Sequence, residues 1–102
     1  NKFFEEAYIN LSTAYIRKKN FILSKKNLKT LESINPKHPL LHYNFACYYS
    51  LLGNIPEGIK SLNLAISYGF KNYKNLEVDP DIHNLRKSPQ FQKIRSLLLA
   101  KE

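Results

Sequence analysis

The sequence predicts an all-α protein: two antiparallel helix hairpins stacked as a short solenoid, closed by a short helix and a C-terminal capping helix. Three observations predict it. Apolar residues recur three and four apart along most of the chain. Residues 5–38 can be laid on residues 39–72 at an offset of 34 without a gap. Proline and glycine stand where each helix must begin or stop.

The superposition pairs Tyr8 with His42, Asn10 with Asn44, Leu11 with Phe45, Ser12 with Ala46 and Tyr15 with Tyr49. Beyond the hairpin turn it pairs Asn20 with Asn54, Ser24 with Gly58, Leu28 with Leu62 and Leu31 with Ala65. In the first unit Phe4, Ala7, Tyr8, Leu11, Tyr15 and Ile16 form the expected buried stripe of one helix. The polar run 17–20 breaks it. Phe21, Leu28, Leu31 and Ile34 form the stripe of the next, which Asn35-Pro36 stops.

In the second unit Pro39 opens a helix carrying Leu41, Phe45, Tyr48, Tyr49 and Leu52. Gly53-Asn54 permits the turn. Pro56 opens the return helix, with Ile59, Leu62, Leu64, Ala65 and Ile66, and Gly69 ends it. The short residues Ser12, Ala46, Ser24 and Gly58 are expected where the antiparallel helices approach closely. A glycine inside a helix costs up to about 1 kcal/mol relative to alanine, and close packing is the expected compensation.

These residues resemble the tetratricopeptide repeat, a helix–turn–helix unit of 34 residues. Tyr8 and His42 fill its large early position, Leu11-Ser12 and Phe45-Ala46 its Leu-like then small pair, and Tyr15 and Tyr49 its later aromatic. Ser24 and Gly58 fill its small position in the second helix, and Pro36 its closing proline. Leu31 and Phe70 depart from the pattern, standing where the family has alanine and proline.

The pattern does not continue past residue 72, because Asp79-Pro80 would fall in mid-helix. Residues 73–102 read instead as a cap, similar to the ending that follows such repeats in many bacterial proteins. Residues 72–78 are expected to form a short helix. Asp79-Pro80 then starts a turn carrying Ile82 and Leu85. Ser88 and Pro89 start a last helix over about 89–101. Phe91, Ile94, Leu97 and Leu98 of that helix are expected to cover the bare face of the last hairpin. Asp79, Asp81 and Arg86 read as structural residues of this cap.

The domain organisation follows: one domain over 1–102, with repeats at 5–38 and 39–72 and a cap at 73–102. The chain starts at Asn1 rather than Met, so a preceding segment is expected. No apolar run reaches the ~18 residues needed to cross a bilayer. The single cysteine, Cys47, excludes an internal disulfide. That fits the cytoplasm and is equally compatible with the periplasm.

The formal net charge is +8, from 16 basic and 8 acidic residues. The basic residues are mostly lysine and are spread along the chain, which argues for solvated faces rather than a nucleic-acid site built from clustered arginine. His38 and His42 have helical spacing, but no third metal ligand accompanies them. Cys47 has Tyr43, Phe45 and Leu51 nearby and no base to activate it. The sequence contains no Gly-rich phosphate loop, Ser-centred elbow or DNA-reading helix signature. No catalytic residue, cofactor or metal is expected.

The resemblance implies a groove lined by the first helices that holds an extended or helical segment of a protein partner. Its positions fall on Glu6, Ile9, Thr13, Ile16 and Arg17 in the first unit. In the second they fall on Leu40, Tyr43, Cys47, Ser50 and Leu51. Glu6 and Arg17 stand at the margin of a largely apolar set. A clamp for chaperone C-terminal carboxylates is not expected: Asn44 matches that subclass, but Ile9 and Thr13 do not. The expected function is a non-enzymatic adaptor. The alternatives are a basic surface that meets nucleic acid or anionic membrane, and a structural segment of a longer repeat protein whose missing repeats, or the cap itself, fill the groove.

Overall fold

The computed structural model describes residues 1–100. The expected ends of the cap and of its last helix, residues 101 and 102, lie outside the described residues. The chain is all-helical, and no strand occurs among the described residues. Helices α1 (Lys2–Arg17) and α2 (Phe21–Ile34) form the first hairpin, and α3 (Pro39–Leu51) and α4 (Ile55–Ser67) the second. The cap follows as α5 (Tyr73–Val78), a 3₁₀ turn (Pro80–Ile82), α6 (His83–Arg86) and α7 (Pro89–Leu99).

The return helices start at residues 21, 55 and 89, each 34 after the last. Each has a polar N-cap. Asn20, Asn54 and Ser88 accept, through their side chains, the backbone N–H of Leu23, Glu57 and Phe91. Helices α3 and α5 also start 34 apart, at Pro39 and Tyr73. The cap therefore keeps the spacing of a third hairpin while its apolar pattern fails. Its first helix is cut in two at Asp79-Pro80.

The cut has a local cause and a local repair. Pro80 has no N–H to give to the carbonyl four residues back, Leu76. The Arg86 guanidinium gives one instead, at 2.8 Å, and a second to the Asp79 carbonyl at 2.9 Å. Asp79 caps the 3₁₀ turn through the Asp81 N–H, at 2.9 Å. The structural reading of Asp79 and Arg86 matches these contacts.

The core runs through both hairpins into the cap. Leu28, Leu31, Leu41, Leu62, Ala65, Ile82 and Leu85 are fully buried. Each such leucine or isoleucine contributes about 1.5–3 kcal/mol of apolar burial. Asn44 ties α1 to α3, donating through Nδ2 to Ser12 Oγ (3.1 Å) and Thr13 Oγ1 (3.0 Å). His42 is also spent on the fold. Its Nε2–H donates to the Pro36 carbonyl at 2.6 Å, and its ring lies 5.2 Å from that of Tyr68.

Several predicted stripe residues lie outside the core. On α1 the buried positions are Ile9, Ser12 and Ile16, whereas Phe4, Ala7 and Leu11 are exposed. The reason lies in the stacking. The matching face of α3 is covered by the first hairpin, with Phe21 edge-on to Tyr48 at 5.9 Å and Lys29 over the Phe45 ring at 5.8 Å. Among the described residues nothing covers the α1 face in the same way. Ile34, Leu52 and Leu97 are likewise exposed at helix ends or on outer faces.

The short residue Gly58 serves a different neighbour from the one expected. A Cβ there would lie 2.6 Å from Leu85 Cδ2. The close approach is of α6 to α4, from hairpin to cap, rather than between the two helices of one hairpin.

Candidate functional site

The 34-residue offset puts Thr13, Cys47 and Asp81 at matching places in α1, α3 and the cap. The structure brings these three to one cleft of about 200 Å³. Helix α1 contributes Ile9, Thr13, Ile16 and Arg17, and α3 contributes Leu40, Tyr43, Asn44 and Cys47. The cut in the cap helix turns Asn75, Asp79 and Asp81 toward α3 to close the far wall.

Of the predicted groove residues, Ile9, Thr13, Ile16, Arg17, Leu40, Tyr43 and Cys47 line this cleft. Ser50, Leu51 and Glu6 do not. Ser50 is buried beneath α6: its Oγ accepts the Leu85 N–H at 3.4 Å and its carbonyl accepts Asn84 Nδ2 at 2.8 Å. Leu51 packs half-buried against the core. The expected exposed apolar floor is also changed. Ile9, Ile16, Tyr43 and Cys47 are all less than a tenth exposed, Tyr43 and Cys47 against the carboxylates of the cap, whereas Leu40 is 40% exposed. Asn75, Asp79 and Asp81 were not expected in the lining. Asp81 was legible there through its offset of 34 from Cys47.

Tyr43 links floor and wall. Its hydroxyl donates to Asp79 Oδ2 and accepts Asn75 Nδ2 at 3.1 Å. Its ring stacks on Phe70 with centroids 4.6 Å apart. Burial, then the neighbouring Cys47 and the Asp79 carboxylate, push the phenol far above its ordinary pKa. It remains a neutral donor.

Cys47 Sγ and one carboxylate oxygen each from Asp79 and Asp81 lie within 4.8 Å of one another. Burial, followed by the charges of Asp79 and Asp81, pushes the thiol pKa well up. This is the reverse of the electropositive setting that activates a cysteine nucleophile. Both oxygens of Asp79 are engaged, by Tyr43 and Asn75 on one and by the Asp81 N–H on the other.

Asp81 differs. Among the described residues its carboxylate takes no hydrogen bond, and no cation lies within 4 Å. Partial burial and the Asp79 charge raise its pKa, and Arg17 across the cleft partly offsets them. The site is an apolar trough with an acidic wall and one arginine on the opposite rim.

This arrangement of paired helices on a 34-residue spacing agrees with the comparison to known families, where the tetratricopeptide-repeat family matches residues 5–38. Residues 5–38 are a tetratricopeptide repeat. Tetratricopeptide repeats are in general protein–protein interaction modules and not enzymes. The chain is also 41% identical over 49 residues, 48% of its length, to a chloroplastic protein from Arabidopsis thaliana. That match spans only 15% of the plant protein. No solved structure matches.

Proposed function

We propose that this protein is a non-enzymatic adaptor that holds a segment of a protein partner in the cleft between α1, α3 and the cap. The observation that carries the reading is the convergence of Ile9, Leu40 and Asp81, from three separate elements, on one open trough. Burial of apolar side chains supplies most of the affinity of such a site, and a few residues dominate it. Leu40 is the best-placed anchor, because it is apolar, exposed and on a rigid helix.

The test is affinity capture from the source organism's lysate at low salt and at ~0.3 M salt, where exposed charges are screened. The Leu40→Glu variant runs beside the wild type. Leu40 lies in the first turn of α3, where an acidic side chain suits the helix dipole. The variant should therefore stay folded. Tyr43→Ala is a poorer control, since it removes the stack on Phe70 and the bond to Asp79. A partner kept at both salts and lost in Leu40→Glu supports the reading. Nucleic acid or acidic protein kept at low salt alone leaves the +8 charge as the source of binding.

A second reading has its own observation. Phe45 and Tyr48 are buried against the first hairpin, and the residues 34 before them, Leu11 and Ala14, are exposed together with Phe4 and Ala7. On this reading α1 stacks on a further helical hairpin, and the protein is a segment of a longer array. Self-association of the isolated chain that Leu11→Lys abolishes, read by sedimentation, favours it.

A further inference from the structure

Resting on the proposed groove reading, we infer that the partner segment presents a lysine or arginine side chain, flanked by apolar residues, with the cation seated against Asp81 and the apolar neighbours on Leu40. Charge complementarity selects this occupant. The protein is basic overall, with twice as many cationic as anionic side chains. Yet the cleft shared by α1, α3 and the cap is walled by two adjacent carboxylates. The groups that line it there are Arg17, Tyr43, Cys47, Asp79 and Asp81.

Their hydrogen bonding assigns distinct roles. Asp79 is used up in holding the wall: Tyr43, Asn75 and the Asp81 N–H occupy it. Asp81 is left with a carboxylate that nothing on this chain neutralises within 4 Å among the described residues. Partial burial beside a second carboxylate disfavours its charge, and an incoming cation relieves that cost. Arg17 faces Asp81 across the trough, so the cation of the segment lies on the Asp81 side and an acidic neighbour lies on the Arg17 rim. A basic head on a flexible alkyl stem suits the geometry, since the stem packs along Leu40 while the head reaches the wall.

The test uses a random-peptide phage library panned on the 102-residue protein, with Leu40→Glu as the counter-selection. Selected peptides are then synthesised and titrated against wild type and Asp81→Asn, both checked for fold by circular dichroism. The expected result is a consensus with a Lys or Arg beside apolar residues, and affinity that falls about ten-fold or more in Asp81→Asn and on replacing that basic residue by alanine. A consensus without a basic residue, or affinity indifferent to Asp81→Asn, overturns the inference and leaves the groove reading standing. Failure to recover any peptide that Leu40→Glu rejects removes both. Two further results also overturn it. Dimerisation of the wild type that Asp81→Asn abolishes makes the occupant a second copy. Thermal stabilisation by Zn²⁺ or Ca²⁺ that Asp81→Asn abolishes makes it a metal.

Discussion

Lys19 sits at φ +59°, in the left-handed region, where the second hairpin has Gly53 at φ +78°. The two residues are 34 apart and make the same helix ending. Lys19 N–H and Asn20 N–H bond to the carbonyls of Ile16 and Tyr15, and Gly53 and Asn54 do the same with Ser50 and Tyr49. A lysine there costs about 1–2 kcal/mol against a right-handed conformation, partly offset by the greater freedom glycine has when unfolded. Lys19→Gly is expected to stabilise the protein by about 0.5–1 kcal/mol in urea denaturation, and Gly53→Ala to destabilise it. Asp81 gives a second residue-scale expectation. Its folded pKa is raised above the unfolded value, so ionisation weakens the fold as pH rises through the raised value, and below the ordinary carboxylate range the effect vanishes. Asp81→Asn should therefore melt above wild type at pH ~7 and with it near pH ~3, below the free aspartate pKa of about 3.9. Equal melting temperatures at neutral pH contradict the assignment.

At the scale of elements, the contact between α4 and α6 leaves no room for a methyl group. Gly58→Ala would bring a Cβ to 2.6 Å from Cδ2 of Leu85, a fully buried side chain that must then shift within the packed core. The expected cost is about 1–3 kcal/mol despite the better helix propensity of alanine. In a Leu85→Ala background, itself about 2–5 kcal/mol less stable, the same change should become neutral or favourable. A double-mutant cycle in urea reads this sign change directly. Stabilisation by Gly58→Ala alone would mean that α6 does not rest on α4 as described. The cut between α5 and α6 has an equally local basis, since Arg86 replaces the N–H that Pro80 lacks.

For the whole molecule, the periodic apolar residues and the punctuation by Pro36, Pro39, Gly53 and Gly69 made the two hairpins legible. The cap was legible as helices but not as a third member of the series. Its pattern fails at Asp79-Pro80, while the spacing of Asn20, Asn54 and Ser88 carries the 34-residue rhythm through. The groove lining was legible along α1 and the start of α3, through the positions that the repeat resemblance implies. Its acidic wall was legible only at Asp81, through the offset of 34 from Cys47. Asp79 reaches the cleft because a broken helix folds back over Tyr43, a tertiary consequence that local pattern does not encode. The same covering explains why Tyr43 and Cys47 are buried rather than open, and why Ser50 faces α6. On α1 the reverse happened: Phe4, Ala7 and Leu11 have core chemistry, but no further hairpin lies on them among the described residues.

Central to all of this is the α1–α3–cap cleft as the place where a partner segment binds. Amide chemical-shift mapping with the partner recovered by capture tests it most directly. The account predicts shifts concentrated at Ile9, Thr13, Leu40 and Asp81, absent when Leu40→Glu is titrated. Shifts confined to Phe4, Ala7, Leu11 and Ala14 would contradict it and place the partner on the outer face of α1.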